Sequence, residues 1–334
     1  MTPTDPSWRR RHVLSAGAAL AASPLLAGAA HGANSFATKP IRLIVPFAAG
    51  GATDVMARAL GDAIGKDLGQ AVVVDNKPGA AGIIACDAMA KSAPDGHTWM
   101  LGTTSTMVTN RFLYRKLPFD PNKDLAWVGR VCTSPIVLAV HQSLPAKNVA
   151  EVLAYMKANK GQVSYGSYGL GSHGHLICAY MSRLAGADAA HVAYKGEAPM
   201  ILDLVAGQVK IGMGSPMGLK PHLEKIRAVG IIGKQRSNLL PDLPTFWEQN
   251  QRDAPYQTLG VTAFAAPGKT PIEIQNRFAQ SAARALKLPE VRARIEATGY
   301  PVVDDDTPAA FTADLIRDLP LWQTMIEQAG VEPT

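Results

Sequence analysis

Five short clusters of Gly, Ser and Thr are the parts of this sequence best equipped to bind something. They are Gly50-Gly51-Ala52-Thr53, Gly79-Ala80-Ala81-Gly82, Gly102-Thr103-Thr104-Ser105-Thr106, Gly169-Leu170-Gly171-Ser172 and Lys195-Gly196. Each follows an apolar run and precedes a helical pattern. In a parallel α/β sheet such turns collect at the carboxyl ends of the strands, the edge where ligands bind. A helix that starts there has unpaired N–H groups and carries about half a positive charge. Several such ends aimed at one space hold an anion without a fixed cation. Glycine also lets a ligand atom come up against the backbone. Any single cluster reads equally well as an ordinary tight connection; five of them, divided between two halves of the chain, point to a cleft.

Catalytic patterns compete with that reading, and each fails on a residue or on its context. Gly169-x-Gly171-x-x-Gly174 matches the dinucleotide fingerprint, with Asp188 as the acidic residue about 20 positions on, but it opens the second half of the chain instead of the first. Gly268-Lys269-Thr270 is similar to the end of a phosphate-binding loop whose first glycine would fall on Ala263. Ser172 between Gly171 and His173 is similar to a hydrolase nucleophile, yet the elbow motif needs glycine where Leu170 stands. His173 and His175 diverge if helical and lack a Glu or Cys at metal spacing, so His175 reads better as a structural or ligand hydrogen-bond partner than as a zinc ligand. Asp54, at a helix start, reads as a cap in preference to a general base. An exported hydrolase using Ser172 and His175 is the competing function.

Holding these turns in place takes a regular framework. Residues 41–45 form a β-branched strand closed by Pro46, and Leu60, Ile64 and Leu68 recur every four residues in the helix that Gly69 ends. Strands at 72–74 and 99–101 and a helix through Met89 continue the pattern. After a strand at 136–140 the rhythm restarts, with helices at 149–158, 176–184 and 199–206 and strands at 163–165, 191–194, 209–211 and 228–232. Pro199 starts the third of these helices and Gly207 lies past its end. This alternation predicts parallel α/β layers in two lobes, residues 34–135 with 258–334 in one and 136–257 in the other. The segments 271–286, 290–298 and 308–329 are largely helical and are expected to pack back onto the first lobe.

Composition agrees. With 334 residues, 47% hydrophobic and 18% charged, the chain can build two cored domains and is neither disordered nor a coiled coil. Its 6% aromatic content, and the lack of any run of five Lys or Arg, argue against a nucleic-acid partner. The net charge of +6 is partly N-terminal, where Arg9, Arg10 and Arg11 face only Asp5 within residues 1–33. A weakly apolar stretch follows at 13–30, with small-residue cleavage options at Ala27-Gly28-Ala29 or as far as Ala33, the pattern of a secretory signal peptide. Arg10-Arg11-His12-Val13-Leu14 fits the twin-arginine variant. An uncleaved membrane anchor is the alternative, and Ser15, Ser23 and Pro24 speak against it. The mature chain is expected to begin near Asn34 and to be soluble in the periplasm. Cys86, Cys132 and Cys178 are odd in number, far apart and set among apolar residues, which favours buried thiols over a disulfide framework.

A longer series of matches has the order of a family. Lys39-Pro-Ile-Arg-Leu-Ile-Val-Pro-Phe47 and Gly50-Gly-Ala-Thr-Asp54 are followed by Val73-Val-Asp-Asn-Lys-Pro-Gly79, Ala93-Pro-Asp-Gly-His-Thr98 and Leu117-Pro-Phe-Asp-Pro121. Tyr165-Gly-Ser167, Tyr194-Lys-Gly196, Asp203-Leu-Val-Ala-Gly-Gln208 and Leu240-Pro-Asp-Leu-Pro-Thr245 come later. Across the whole mature chain this resembles the tripartite tricarboxylate transporter receptors, also called Bug proteins. The resemblance implies an α/β fold of the type II periplasmic binding protein kind, two lobes around a hinge, each a mostly parallel sheet flanked by helices. It implies a receptor, not an enzyme, that captures a small carboxylate (a dicarboxylate, tricarboxylate or aromatic acid), acts as a monomer without a cofactor, and hands its ligand to membrane transporter subunits or shows it to a sensor. It assigns the ligand carboxylate to Phe47, Gly50, Gly51, Ala52 and Thr53, and to Ser167, Tyr168, Gly169, Gly171 and Ser172, by backbone amides, hydroxyls and bridging waters. Gly102, Thr103, Thr104 and Ser105, with Tyr194, Lys195 and Gly196, complete the cleft. Two departures stand out. Lys210 and the pair Gly214-Ser215 replace residues that are usually acidic or Asn, which puts an amino-acid ligand in doubt, and Tyr168 replaces a small residue, which implies either a narrower pocket or a ring on which a ligand stacks.

Overall fold

The computed structural model describes residues 36–304, 306–331 and 333, so the signal-like segment at 1–33 lies outside the described residues. The first half of the fold is built on β1 (Ile41–Val45), whose residues are almost all buried. It is flanked by β2 (Val72–Asn76) and β3 (Thr98–Thr103), both parallel to it. Between β1 and β2 runs α1 (Ala52–Leu68), which buries Met56, Leu60 and Ile64 at helical spacing. Gly69 ends it in the left-handed conformation, φ 69°, with its N–H on the Gly65 carbonyl. The Gly79–Gly82 turn and α2 (Ile83–Ala90) lead to β3, and a π-helical turn (Ser105–Thr109) with α3 (Asn110–Leu113) follows it.

Two strands that sequence periodicity does not announce complete this sheet. These are β4 (Leu125–Ser134) and, some 125 residues later, β10 (Gly260–Pro267), which lies antiparallel between β3 and β4. The order is therefore β2-β1-β3-β10-β4.

The second sheet repeats the plan with β5 (Val137–His141), β6 (Ser164–Ser167), β7 (Ala190–Ala193), β8 (Ile211–Gly214) and β9 (Ile226–Ile231), in the order β7-β6-β8-β5-β9. Here β6, β7 and β8 are parallel, whereas β5 runs antiparallel to both its neighbours. Both sheets are thus mixed, parallel where βα units build them and antiparallel where the chain passes from one half to the other. Helices α4 (Val149–Ala158), α5 (His173–Ala185), α6 (Glu197–Val205), α7 (Pro216–Leu219) and α8 (Ala254–Gln257) belong to this half.

The chain closes with α9 (Ile272–Leu286), α10 (Pro289–Glu296) and α11 (Pro308–Gln328). The first sheet and α9 share a core in which Trp99 and Phe278 stack with ring centres 3.8 Å apart. Helix α11 spans both halves: Phe311 meets Trp127 of β4 edge-on at 6.1 Å, and Trp322 meets His173 of α5 at 5.2 Å. Arg130 fastens its start, bonding Asp306 through Nε and Nη2 at 2.9 Å each and Asp314 through Nη1 at 2.8 Å. Cys86, Cys132 and Cys178 are free and buried, and burial pushes each thiol up to about 12.

Candidate functional site

In the first half, the turn after β1 holds Phe47, Gly50, Gly51, Ala52 and Thr53, and residues 48–51 are exposed. Gly51 caps α1 without a side-chain bond, so the first-turn N–H groups stay open. Asp54 is not a base poised over a ligand. It is buried and accepts the Gly50 N–H at 2.9 Å, Arg58 at 3.0 Å and the Asn76 amide at 3.0 Å. Its own burial pushes the carboxyl up, but the bonds from Arg58, Gly50 and Asn76 outweigh it and leave it below the usual range. The neighbouring turn after β3 carries Gly102, Thr103, Thr104 and Ser105. There the Thr104 hydroxyl is committed to the Val261 N–H at 2.8 Å, and Thr103 is held by Thr106 through both its N–H and its carbonyl. Behind it, Gly79, Ala80, Ala81 and Gly82 all have positive φ, of 120°, 45°, 51° and 86°. Two alanines in that region cost roughly 1–2 kcal/mol each, and Asn110 holds the turn by donating to the Ala81 carbonyl at 3.0 Å.

In the second half, the turn after β6 carries Ser167, Tyr168, Gly169, Gly171 and Ser172. Its hydroxyls are largely spent on the turn itself. Ser167 Oγ donates to the Gly169 carbonyl at 2.9 Å and lies 2.7 Å from His191 Nε2, while Ser172 Oγ caps α5 by accepting the His175 N–H at 3.3 Å. What this turn offers a ligand is backbone more than hydroxyl. Tyr168 lays its ring on Gly174 and its hydroxyl accepts the Gly174 N–H at 3.3 Å, so its bulk is used on the start of α5. Alongside, Tyr194, Lys195 and Gly196 follow β7. The Tyr194 hydroxyl donates to Asp203 at 2.7 Å, Lys195 is exposed, and Gly196, with φ 124°, caps α6 without a side-chain bond. The open helix starts at Gly51 and Gly196 are thus one in each half.

The halves touch near these turns. Leu113, at the end of α3, fills the space beside Gly171, and Gly299 packs on Pro216 and Leu239. Ser237 Oγ donates to the Gly299 carbonyl at 3.2 Å. Two residues that the sequence reading passed over lie here. The Glu197 carboxyl accepts both the N–H and the hydroxyl of Ser215, and Tyr300, from the first half, stands beside Ser215 and within electrostatic reach of Glu197. The available signal was the placing of Glu197 directly after Tyr194-Lys195-Gly196. Lys210 needs the opposite correction. It lies before β8, donates to Ser143 at 3.2 Å, and is four strand residues, about 13 Å, from Gly214 at the carboxyl edge. Its charge therefore has no bearing on a ligand at that edge.

The catalytic alternatives dissolve in this geometry. His175 accepts the Gly171 N–H on Nδ1 at 3.0 Å and stacks on His191 at 3.7 Å, so its ring does not address the Ser172 hydroxyl. His173 is buried against Trp322, and burial brings it down to about 4. Asp188 stands before β7, at the far edge from Gly169, paired with Lys160 at 3.0 Å. Gly268 is pressed on the Lys123 carbonyl, which leaves no cradle for a phosphate. Among the described residues, no group of three or more His, Cys, Asp or Glu is arranged to hold a metal ion, and no helix is long and apolar enough to cross a membrane.

Comparison with known proteins matches residues 56–331 to the tripartite tricarboxylate transporter family receptor. Protein BugT of Bordetella pertussis is 32% identical over 308 residues, covering 90% of this chain and 92% of its own. Among solved structures, the R. palustris protein Rpa4515 with adipate superposes with a TM-score of 0.79 at 31% identity, over 89% of this chain and 99% of that one. MatC from Rhodopseudomonas palustris with bound malate superposes with a TM-score of 0.76 at 28% identity, over 87% and 100%.

Proposed function

This chain belongs to the tripartite tricarboxylate transporter receptor family, a family of solute-binding receptors and not of enzymes, and from that premise we propose that it captures a small carboxylate between its two halves in the periplasm and delivers it to membrane transporter subunits. The observation that carries the proposal is the pair of open helix starts, at Gly51 in one half and Gly196 in the other, flanked by glycine-bearing turns at the carboxyl edges of both sheets. Backbone N–H groups and helix dipoles then supply the charge complement of a carboxylate without a buried Lys or Arg. Residues 34–135 with 258–334 act as one lobe and 136–257 as the other. A ligand that bonds to both lobes lowers the free energy of the closed arrangement alone, and so closes it. The adipate and malate held by the two R. palustris relatives support a carboxylate as the ligand class.

Titration calorimetry of the purified protein against mono-, di- and tricarboxylates tests this. Micromolar binding, about 8 kcal/mol, to at least one carboxylate is the expected outcome. Heat with sugars or metal cations but with no carboxylate would overturn the reading. Native mass spectrometry of the protein as purified gives an independent check through any retained solute.

A further inference from the structure

Glu197 opens α6 directly after the Tyr194-Lys195-Gly196 turn, and its carboxyl reaches over the end of β8. It accepts the backbone N–H of Ser215 and, at 3.0 Å, the Ser215 hydroxyl. Room for it exists because β8 ends in glycine: a Cβ on Gly214 would lie 2.6 Å from Glu197 Oε1, and one on Gly218 would lie 2.8 Å from the carboxyl. Tyr168, from the turn after β6, and Tyr300, from the first half, stand near enough to interact with its charge. Among the described residues it has no Lys, Arg or His partner; Ser215 supplies its hydrogen bonds. Burial, the largest influence, pushes this carboxyl above the usual range, although the Ser215 bonds pull the other way.

A carboxylate taken out of water without a cation is an unbalanced charge, and its surroundings favour whatever supplies the missing one. About four acceptor positions are available on a carboxylate, and Ser215 occupies two of them. An ammonium group brought to this place stabilises the ionised carboxylate and finds free acceptors, whereas a second carboxylate leaves that charge without a counterpart. We infer that Glu197 sets the specificity of the cleft, excluding a second ligand carboxylate and accepting the protonated amine of a ligand whose other end is its carboxylate. The inference rests on the carboxylate-receptor reading above, with the ligand carboxylate at the Gly51 start of α1 and the amine at Glu197, and restores, through α6, the acidic group that Gly214 and Ser215 lack.

The test is calorimetry of the purified protein with chain-matched pairs: succinate, glutarate and adipate against 4-aminobutyrate, 5-aminopentanoate and 6-aminohexanoate. The expected result is at least tenfold tighter binding of an amino acid than of its matched dicarboxylate. Glu197→Gln keeps the shape and an acceptor for the Ser215 N–H, and is expected to shrink that preference at least tenfold at unchanged thermal midpoint. Glu197→Ala is expected to reverse it. A wild-type preference for the dicarboxylate, or a ratio that Glu197→Gln leaves untouched, overturns the role of Glu197 while leaving the carboxylate receptor standing. Silence toward every carboxylate, in this series and the wider one, overturns both.

Discussion

Leu113 and Gly171 meet with no space to spare: Leu113 Cδ1 stands 2.1 Å from where a Cβ on Gly171 would lie, and Gly171 itself has φ +66°. One residue ends α3 in the first half and the other sits in the turn after β6 in the second, so this contact reports how closely the halves approach. Gly171→Ala adds a left-handed penalty of roughly 1–2 kcal/mol and a collision with Leu113. We expect it to lower the thermal midpoint and to weaken ligand binding at least tenfold, about 1.4 kcal/mol. Adding Leu113→Ala removes the collision but not the backbone penalty, so affinity should recover more than stability does. Unchanged affinity in Gly171→Ala would show that the halves do not press together around the ligand.

Stability should depend on acid through a pair of stacked imidazoles. His175 and His191 lie 3.7 Å apart and 12° from parallel. Burial, with His191 nearby, brings His175 down to about 3, and burial brings His191 down to about 4, both from an ordinary 6.5. Lowered values mean that the unfolded chain takes up protons first. Their contribution is therefore complete above pH 6.5 and is lost as pH falls from there toward 3–4. Urea midpoints at pH 7.5 and 5 should differ clearly in the wild type. His191→Phe keeps a ring in the stack and should narrow that difference, though not abolish it, because His173 titrates in the same sense. An equal acid loss in both proteins would remove these imidazoles from the account.

Much of the framework is legible because its causes are local. The four-residue spacing of Leu60 and Ile64 and the left-handed stop at Gly69 define α1, and β1 is a run of β-branched and apolar residues, broken by Arg42, between Lys39-Pro40 and Pro46. The strands β4 and β10 are not legible in that way, since each is defined by a partner far along the chain: Phe264 registers with Leu101 on one side and Gly129 on the other. The site divides along the same line. Residue type and spacing bring out the turns at Gly50, Gly102, Gly169 and Gly196. They do not say that the hydroxyls of Ser167 and Ser172 turn inward to Gly169 and His175, nor that Glu197 crosses to Ser215, because those outcomes depend on which elements end side by side.

The turn after β1 offers a last test, of whether its shape is imposed from within or by a ligand. Asp54 is 3% exposed and gathers the Gly50 N–H, Arg58 and the Asn76 amide, which in turn also holds the Phe47 carbonyl at 3.0 Å. Arg58 is half exposed, so its charge contributes little; the partly buried bonds from the Gly50 N–H and the Asn76 amide to the buried carboxyl matter more. Asp54→Ala removes both bonds, at about 0.5–1.5 kcal/mol each, and frees the segment that carries Gly50 and Gly51. We expect a lower thermal midpoint together with weaker ligand binding. Asp54→Asn retains an acceptor for Gly50 and should lose much less of either. It should also lose the acid sensitivity that goes with a lowered carboxyl, a contribution present above pH 3.8 and lost as pH falls through the native value. If Asp54→Ala destabilises the fold but binds ligand as before, the turn owes its binding shape to the ligand and not to Asp54.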